Sequence, residues 1–75
     1  MKNISVRRKN VRGSLLDIDK SILLMLESGY TKNEIAHNLG INAHTIDGYL
    51  RRIYKILGVH SKAASVAKAI RGNLI

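Results

Sequence analysis

The sequence contains no cysteine, no proline, no tryptophan and no phenylalanine. Without cysteine there is neither a disulfide framework nor thiolate chemistry, and a reducing cytoplasm is compatible with such a chain. Without proline, nothing interrupts helical periodicity from within. Three tyrosines are too few to build a stacking platform for single-stranded nucleic acid. No apolar run approaches the roughly 18 residues of a membrane span, and the first residues, MKNISVRRKNVRGS, lack the apolar stretch of a signal peptide. Acidic residues are scarce as well, five against thirteen lysines and arginines, for a net charge of +8. That imbalance favours a polyanionic partner over an acidic or neutral one.

No catalytic or metal-binding constellation is visible. His37, His44 and His60 are scattered, with no carboxylate at a recognised metal-ligand spacing. No G-x-x-x-x-G-K-[ST] phosphate loop is present. The expectation is a non-enzymatic chain with no cofactor and no metal.

Seventy-five residues suffice for one small domain. Residues 1–13 lack helical periodicity; Arg7, Arg8, Lys9 and Arg12 make a basic arm, read as flexible, that either tracks DNA or merely aids solubility. Residues 14–75 read as one all-α domain of four helices. The first starts near Asp17 or Asp19, either of which can cap, places Ile18, Ile22, Met25 and Leu26 on one face with Leu23 beside them, and stops at Gly29. The second opens on Thr31 and Glu34, spaced as a capping box, buries Ile35, Ala36 and Leu39, and ends at Gly40. The third is capped by Asn42 and closed by Gly58. At about 100° per residue, Ile46, Tyr49, Leu50, Ile53, Tyr54, Ile56 and Leu57 share one half of it, while His44, Asp47, Gly48, Arg51, Arg52 and Lys55 share the other. The fourth runs from a Ser61 cap to Arg71 with a stripe of mostly small residues, Ala63, Val66, Ala67 and Ile70.

Helices two and three are the informative pair. A short capped helix, the brief turn LGIN and a longer helix with a basic outer face have the shape of a helix-turn-helix. Ala36 is small where a second helix must cross, Gly40 permits the turn, and Ile41, Ile46 and Leu50 can lock the pair. The third helix is then free to enter a DNA major groove.

The stretch YTKNEIAHNLGINAHTIDGYLRRIYKILGVHSKAASVAKA resembles the DNA-binding domain of LuxR-type (GerE-type) bacterial transcription regulators. The matching residues are Glu34-Ile35-Ala36, Leu39-Gly40-Ile41, Thr45-Ile46, Ile53-Tyr54 and Leu57-Gly58-Val59, with Leu15, Ile22-Leu23 and Gly29 upstream and Asp19 where the family usually has glutamate. The resemblance, over about residues 15–72, implies a four-helix domain whose third helix reads the major groove and whose fourth pairs two copies. It places Asp47, Gly48 and Arg51 at base-facing positions, Thr45 at a phosphate contact, and Lys62 where a basic residue is usual. Family members usually carry a basic residue at the place of Asp47, a larger one at Gly48, histidine at Tyr49 and a basic residue at Ile56, and the lysine of the second helix is displaced, giving Lys32-Asn33. Base preferences therefore do not transfer.

The resulting expectation is a cytoplasmic, sequence-specific regulator that binds double-stranded DNA and associates with the nucleoid when bound. Arg51 is the candidate for base readout, since arginine pairs bidentately with guanine. Thr31, Lys32, Thr45, Arg52, Lys55 and Lys62 are candidates for the DNA backbone, and Ala63, Val66, Ala67 and Ile70 for a homodimer contact, unless that stripe completes the monomer's own core. If Met1 is the initiator, the chain leaves no room for a receiver or sensing domain, and control would rest on its abundance or on a partner; in an isolated domain the sensor would lie elsewhere. The alternative is an interaction module that uses the same fold to bind another regulator or the transcription machinery, favoured by Asp47 and Ile56, which lower the charge of the outer face. RNA or membrane binding through the arm is a third class; the fourth helix has too little bulky apolar surface for an interfacial anchor.

Asp47 and Gly48 are the oddity. Asp47 lies four residues before Arg51 and can pair with it. It could then orient Arg51 for guanine, accept a hydrogen bond from a cytosine amino group, or penalise wrong DNA by repelling phosphate. The bland alternative is drift in a domain that does not read DNA closely.

Overall fold

The computed structural model describes residues 14–75, so the basic arm of Arg7, Arg8, Lys9 and Arg12 lies outside the described residues. Within them the chain forms four helices and no strand: α1 (Asp17–Glu27), α2 (Lys32–Leu39), α3 (Ala43–Leu57) and α4 (Lys62–Arg71). None of these is long and apolar enough to cross a membrane.

Local chemistry sets most of the boundaries. At α2 both halves of the capping box form: the Glu34 N–H donates to Thr31 Oγ1 at 3.1 Å and the Thr31 N–H donates to Glu34 Oε1 at 2.8 Å. Asn42 Oδ1 accepts from the Thr45 N–H at 2.8 Å and starts α3, and Ser61 Oγ accepts from the Ala64 N–H at 3.1 Å and starts α4. Gly40 and Gly58 close α2 and α3 in the left-handed conformation, at φ 70° and 69°. The following N–H groups of Ile41 and Val59 fold back onto the carbonyls of Ala36 and Tyr54, at 3.0 and 2.9 Å.

α1 starts at Asp17, as the sequence implies, but its cap differs. Neither Asp17 nor Asp19 is the cap residue; Leu16 occupies that position and Asp19 is the third helical residue. Asp19 Oδ2 still satisfies a free backbone donor, accepting from the Leu16 N–H at 2.7 Å. Both carboxylates lie in the first turn, where the helix dipole favours negative charge.

The core is formed by Ile22 and Leu23 of α1, Ile35 and Ala36 of α2, Ile46, Leu50, Ile53 and Leu57 of α3, and Ala69 of α4. Burial of each large aliphatic contributes roughly 1.5–3 kcal/mol. α3 supplies four of the nine core residues, and it packs against every other helix. Its buried face fixes its rotation and so decides which side chains point outward. α4 turns Ser65 and Ala69 to the core; the Ser65 hydroxyl is satisfied by donating to the Lys62 carbonyl at 2.7 Å. Of the stripe of Ala63, Val66, Ala67 and Ile70, Val66 alone packs against the core. Ala63 is exposed, Val66 and Ala67 are half-buried, and Ile70 is 52% exposed.

Candidate nucleic-acid interface

The outer face of α3 carries His44, Asp47, Gly48, Arg51 and Lys55. His44, Arg51 and Lys55 are exposed, while Asp47 and Gly48 are half-buried. Around this face lie two open hollows. One, of about 340 Å³, is lined by Lys32, Asp47, Leu50, Arg51, Tyr54 and Lys62. The other, of about 530 Å³, is lined by Arg51, Arg52, Tyr54, Lys55, Val59 and His60. Arg51 and Tyr54 border both. Three helices thus bring Lys32, Lys62, Arg51 and Lys55 to one side of the domain, an arrangement suited to a polyanion. Burial first and the Asp47 carboxylate second push the Tyr54 hydroxyl above its usual 10.0.

Two ion pairs subdivide these charges. Lys32, the first residue of α2, reaches Asp47 on α3, with Nζ 3.1 Å from Oδ1 and 3.3 Å from Oδ2. Both side chains keep access to water, at 42% and 36% exposure. Asp47 therefore pairs with Lys32 and not with Arg51, the partner its helical spacing suggests. Among the described residues Arg51 has no ion-pair partner.

Arg52 also departs from expectation. Its guanidinium turns inward, pairs with the fully buried Asp19 of α1 through Nη1, and donates from Nη2 to the Ser14 carbonyl at 3.3 Å. Arg52 thus bridges α1 and α3, while its side chain stays 39% exposed. Thr45 is similarly committed: its hydroxyl donates to Asn42 Oδ1 at 3.1 Å, and would have to leave the cap to donate to a phosphate. Thr31 is different. Its oxygen accepts from the Glu34 N–H and its own hydroxyl proton stays free to donate. Lys55 and Lys62 are exposed, with no ion-pair partner among the described residues.

Gly48 is informative because the fold does not require it. It lies within α3 with no positive φ, and a Cβ built there would meet nothing within 4 Å. Glycine in a helix interior costs about 1 kcal/mol relative to alanine, and the domain's own packing gives no reason for that cost.

Neither ion pair was foreseen from the sequence. Asp19 and Arg52 are 33 positions apart, and no local pattern joins them. The Lys32–Asp47 pair had a faint signal: Asp47 is the one acidic residue in a basic α3, next to a helix that opens on lysine.

The α4 stripe borders a groove of about 500 Å³, with Leu26 and Tyr30 opposite and Lys62 shared with the smaller of the two hollows. Among the described residues no group of three or more histidine, aspartate or glutamate side chains is placed to hold a metal ion.

The family model described as "Bacterial regulatory proteins, luxR family" (GerE) matches residues 14–69, most of the chain. No curated protein and no solved structure matches it.

Proposed function

The chain belongs to the luxR family of bacterial regulatory proteins, and on that premise we propose that this DNA-binding helix-turn-helix regulator is sequence-specific for double-stranded DNA, inserting α3 into the major groove. The observation that carries this reading is Arg51. It is exposed on the outer face of α3, has no ion-pair partner among the described residues, and borders both cationic hollows. Asp47 and Gly48 lie beside it as the other base-facing positions. Lys32, Lys55, Lys62 and Thr31 flank them as backbone contacts, whose neutralised phosphates release counterions and so give affinity and salt dependence. In the cell such a protein would act in the cytoplasm, on the nucleoid.

The homodimer is part of the same proposal. Val66 reaches the core, but Ala63, Ala67 and Ile70 lie outside it, and the small side chains of the stripe allow a second helix to approach closely. Two copies joined there would contact half-sites about one helical turn apart. The reading of the fold as a protein-binding module loses support. Asp47 has its partner in Lys32, and Ile56 packs against the core, so neither departure from the family pattern calls for an outside protein.

A labelled pool of random duplexes titrated with salt tests the proposal. Retention at low salt, a steep loss of affinity by moderate salt and enrichment of one motif are the expected results. Retention without enrichment would leave only non-specific binding. Deleting residues 1–12 should lower affinity while leaving the preferred motif unchanged; unchanged affinity would mark the arm as passive.

A further inference from the structure

The Lys32–Asp47 pair lies where the proposed DNA surface would be, yet it consumes one of the cations that surface needs. Its two members come from different helices, both remain partly open to water, and the ammonium is shared between both carboxylate oxygens. Exposed pairs of this kind are weak and readily exchanged. Each member also has a second partner available on DNA. Lys32 can take a backbone phosphate. Asp47, which phosphates repel, can be satisfied only by a donor, and in the major groove the donors are the amino groups of cytosine and adenine, with cytosine the usual partner of a carboxylate. Next to Asp47, Gly48 presents open space where a side chain would otherwise stand, leaving a base edge room to reach the carboxylate.

We propose that Lys32 and Asp47 form an exchangeable internal ion pair that makes a phosphate contact conditional on sequence. Lys32 moves to a phosphate most readily where an amino group, best that of cytosine, donates a hydrogen bond to the released Asp47 carboxylate. On other sequences the exchange leaves Asp47 unpaired beside phosphates, so the pair stays closed and one cation is withheld. Lys32 thereby supplies a phosphate contact whose strength depends on the base that faces Asp47. This inference rests on the reading of α3 as the DNA-contacting helix.

The test is a double-mutant cycle on the full chain: wild type, Asp47→Asn, Lys32→Met and the double variant. Each is titrated with salt on an unrelated duplex, on the duplex selected by the wild type, and on that duplex with each C·G pair replaced in turn. On the unrelated duplex Asp47→Asn should release Lys32, steepening the salt slope by about 0.9, which amounts to about eightfold tighter binding at 0.1 M salt relative to a 1 M reference. In the Lys32→Met background most of that gain should vanish. Asp47→Ala, which removes the acceptor altogether, should flatten the preference at one C·G pair, whereas Lys32→Met should keep that preference and lose affinity for the selected duplex. An Asp47→Asn gain of equal size in both backgrounds, or a cytosine preference that survives Asp47→Ala, would overturn the exchange while leaving DNA binding intact. Failure of the wild type to bind any duplex would overturn the DNA reading and the exchange with it.

Discussion

Two ion pairs tie α3 to its neighbours, and they do opposite things. Asp19 and Arg52 join α1 to α3 with the carboxylate fully buried; Lys32 and Asp47 join α2 to α3 with both members in contact with water. Their α3 residues are five positions apart, about 140° around the helix at 100° per residue. The first pair is inflexible, because a buried charge that loses its partner cannot be rescued by solvent. It holds α3 in place beneath the recognition face. The second is a contact that solvent or a ligand can replace. A single helix thus separates the charge that fixes its position from the charges it offers outward. Even the adjacent arginines divide this way, Arg52 inward and Arg51 outward.

The comparison is broken most readily at Arg52. Arg52→Ala leaves Asp19 buried, with one oxygen already lacking a hydrogen-bond partner among the described residues. The expected loss is about 3–5 kcal/mol, read from urea denaturation. Asp19→Asn leaves instead an arginine that is 39% exposed and can be hydrated, so it should lose only about 1–2 kcal/mol. The reverse order would contradict the assignment of Asp19 as the trapped charge. Next in size, Arg51→Ala should forfeit roughly 1–3 kcal/mol of discrimination at one base pair while changing stability by less than about 0.5 kcal/mol. A uniform weakening on all duplexes would make Arg51 a phosphate contact. Gly48→Ala should stabilise the free domain by up to about 1 kcal/mol, because the added methyl meets no neighbour. It should also weaken binding to the selected duplex; unchanged binding would remove close approach as the reason for the glycine. The smallest effect belongs to the exposed pair: Lys32→Met should shift stability by about 0–1 kcal/mol, with any shift fading as salt rises. A larger, salt-insensitive loss would place this pair in the same class as Asp19–Arg52.

What could be read in the sequence was what short-range chemistry decides. Thr31 with Glu34, Asn42 with Thr45 and Ser61 with Ala64 are three residues apart, and each forms as its spacing implies. The helix-turn-helix was legible because Gly40, Asn42 and the aliphatic spacing of α3 all point to one geometry. The errors came wherever a distant partner competed with a near one. Asp19 reads as a cap from its neighbours alone, but its carboxylate is also the partner of Arg52. Asp47 reads as the partner of Arg51, but the start of α2 brings Lys32 closer. In α4, the sequence pointed to the stripe of Ala63, Val66, Ala67 and Ile70 but not to Ser65 and Ala69, which are the residues of that helix that are fully buried. Ser65 satisfies its hydroxyl within its own turn, which a count of apolar side chains cannot register.

The central claim is that α3 reads sequence in the DNA major groove through Arg51. It is tested most directly by selecting bound sequences from a random duplex library with the wild-type chain and, in parallel, with Arg51→Ala. The account predicts one enriched motif for the wild type and the same motif for the variant with a single guanine position relaxed. An unenriched library, or identical motifs from both proteins, would contradict it.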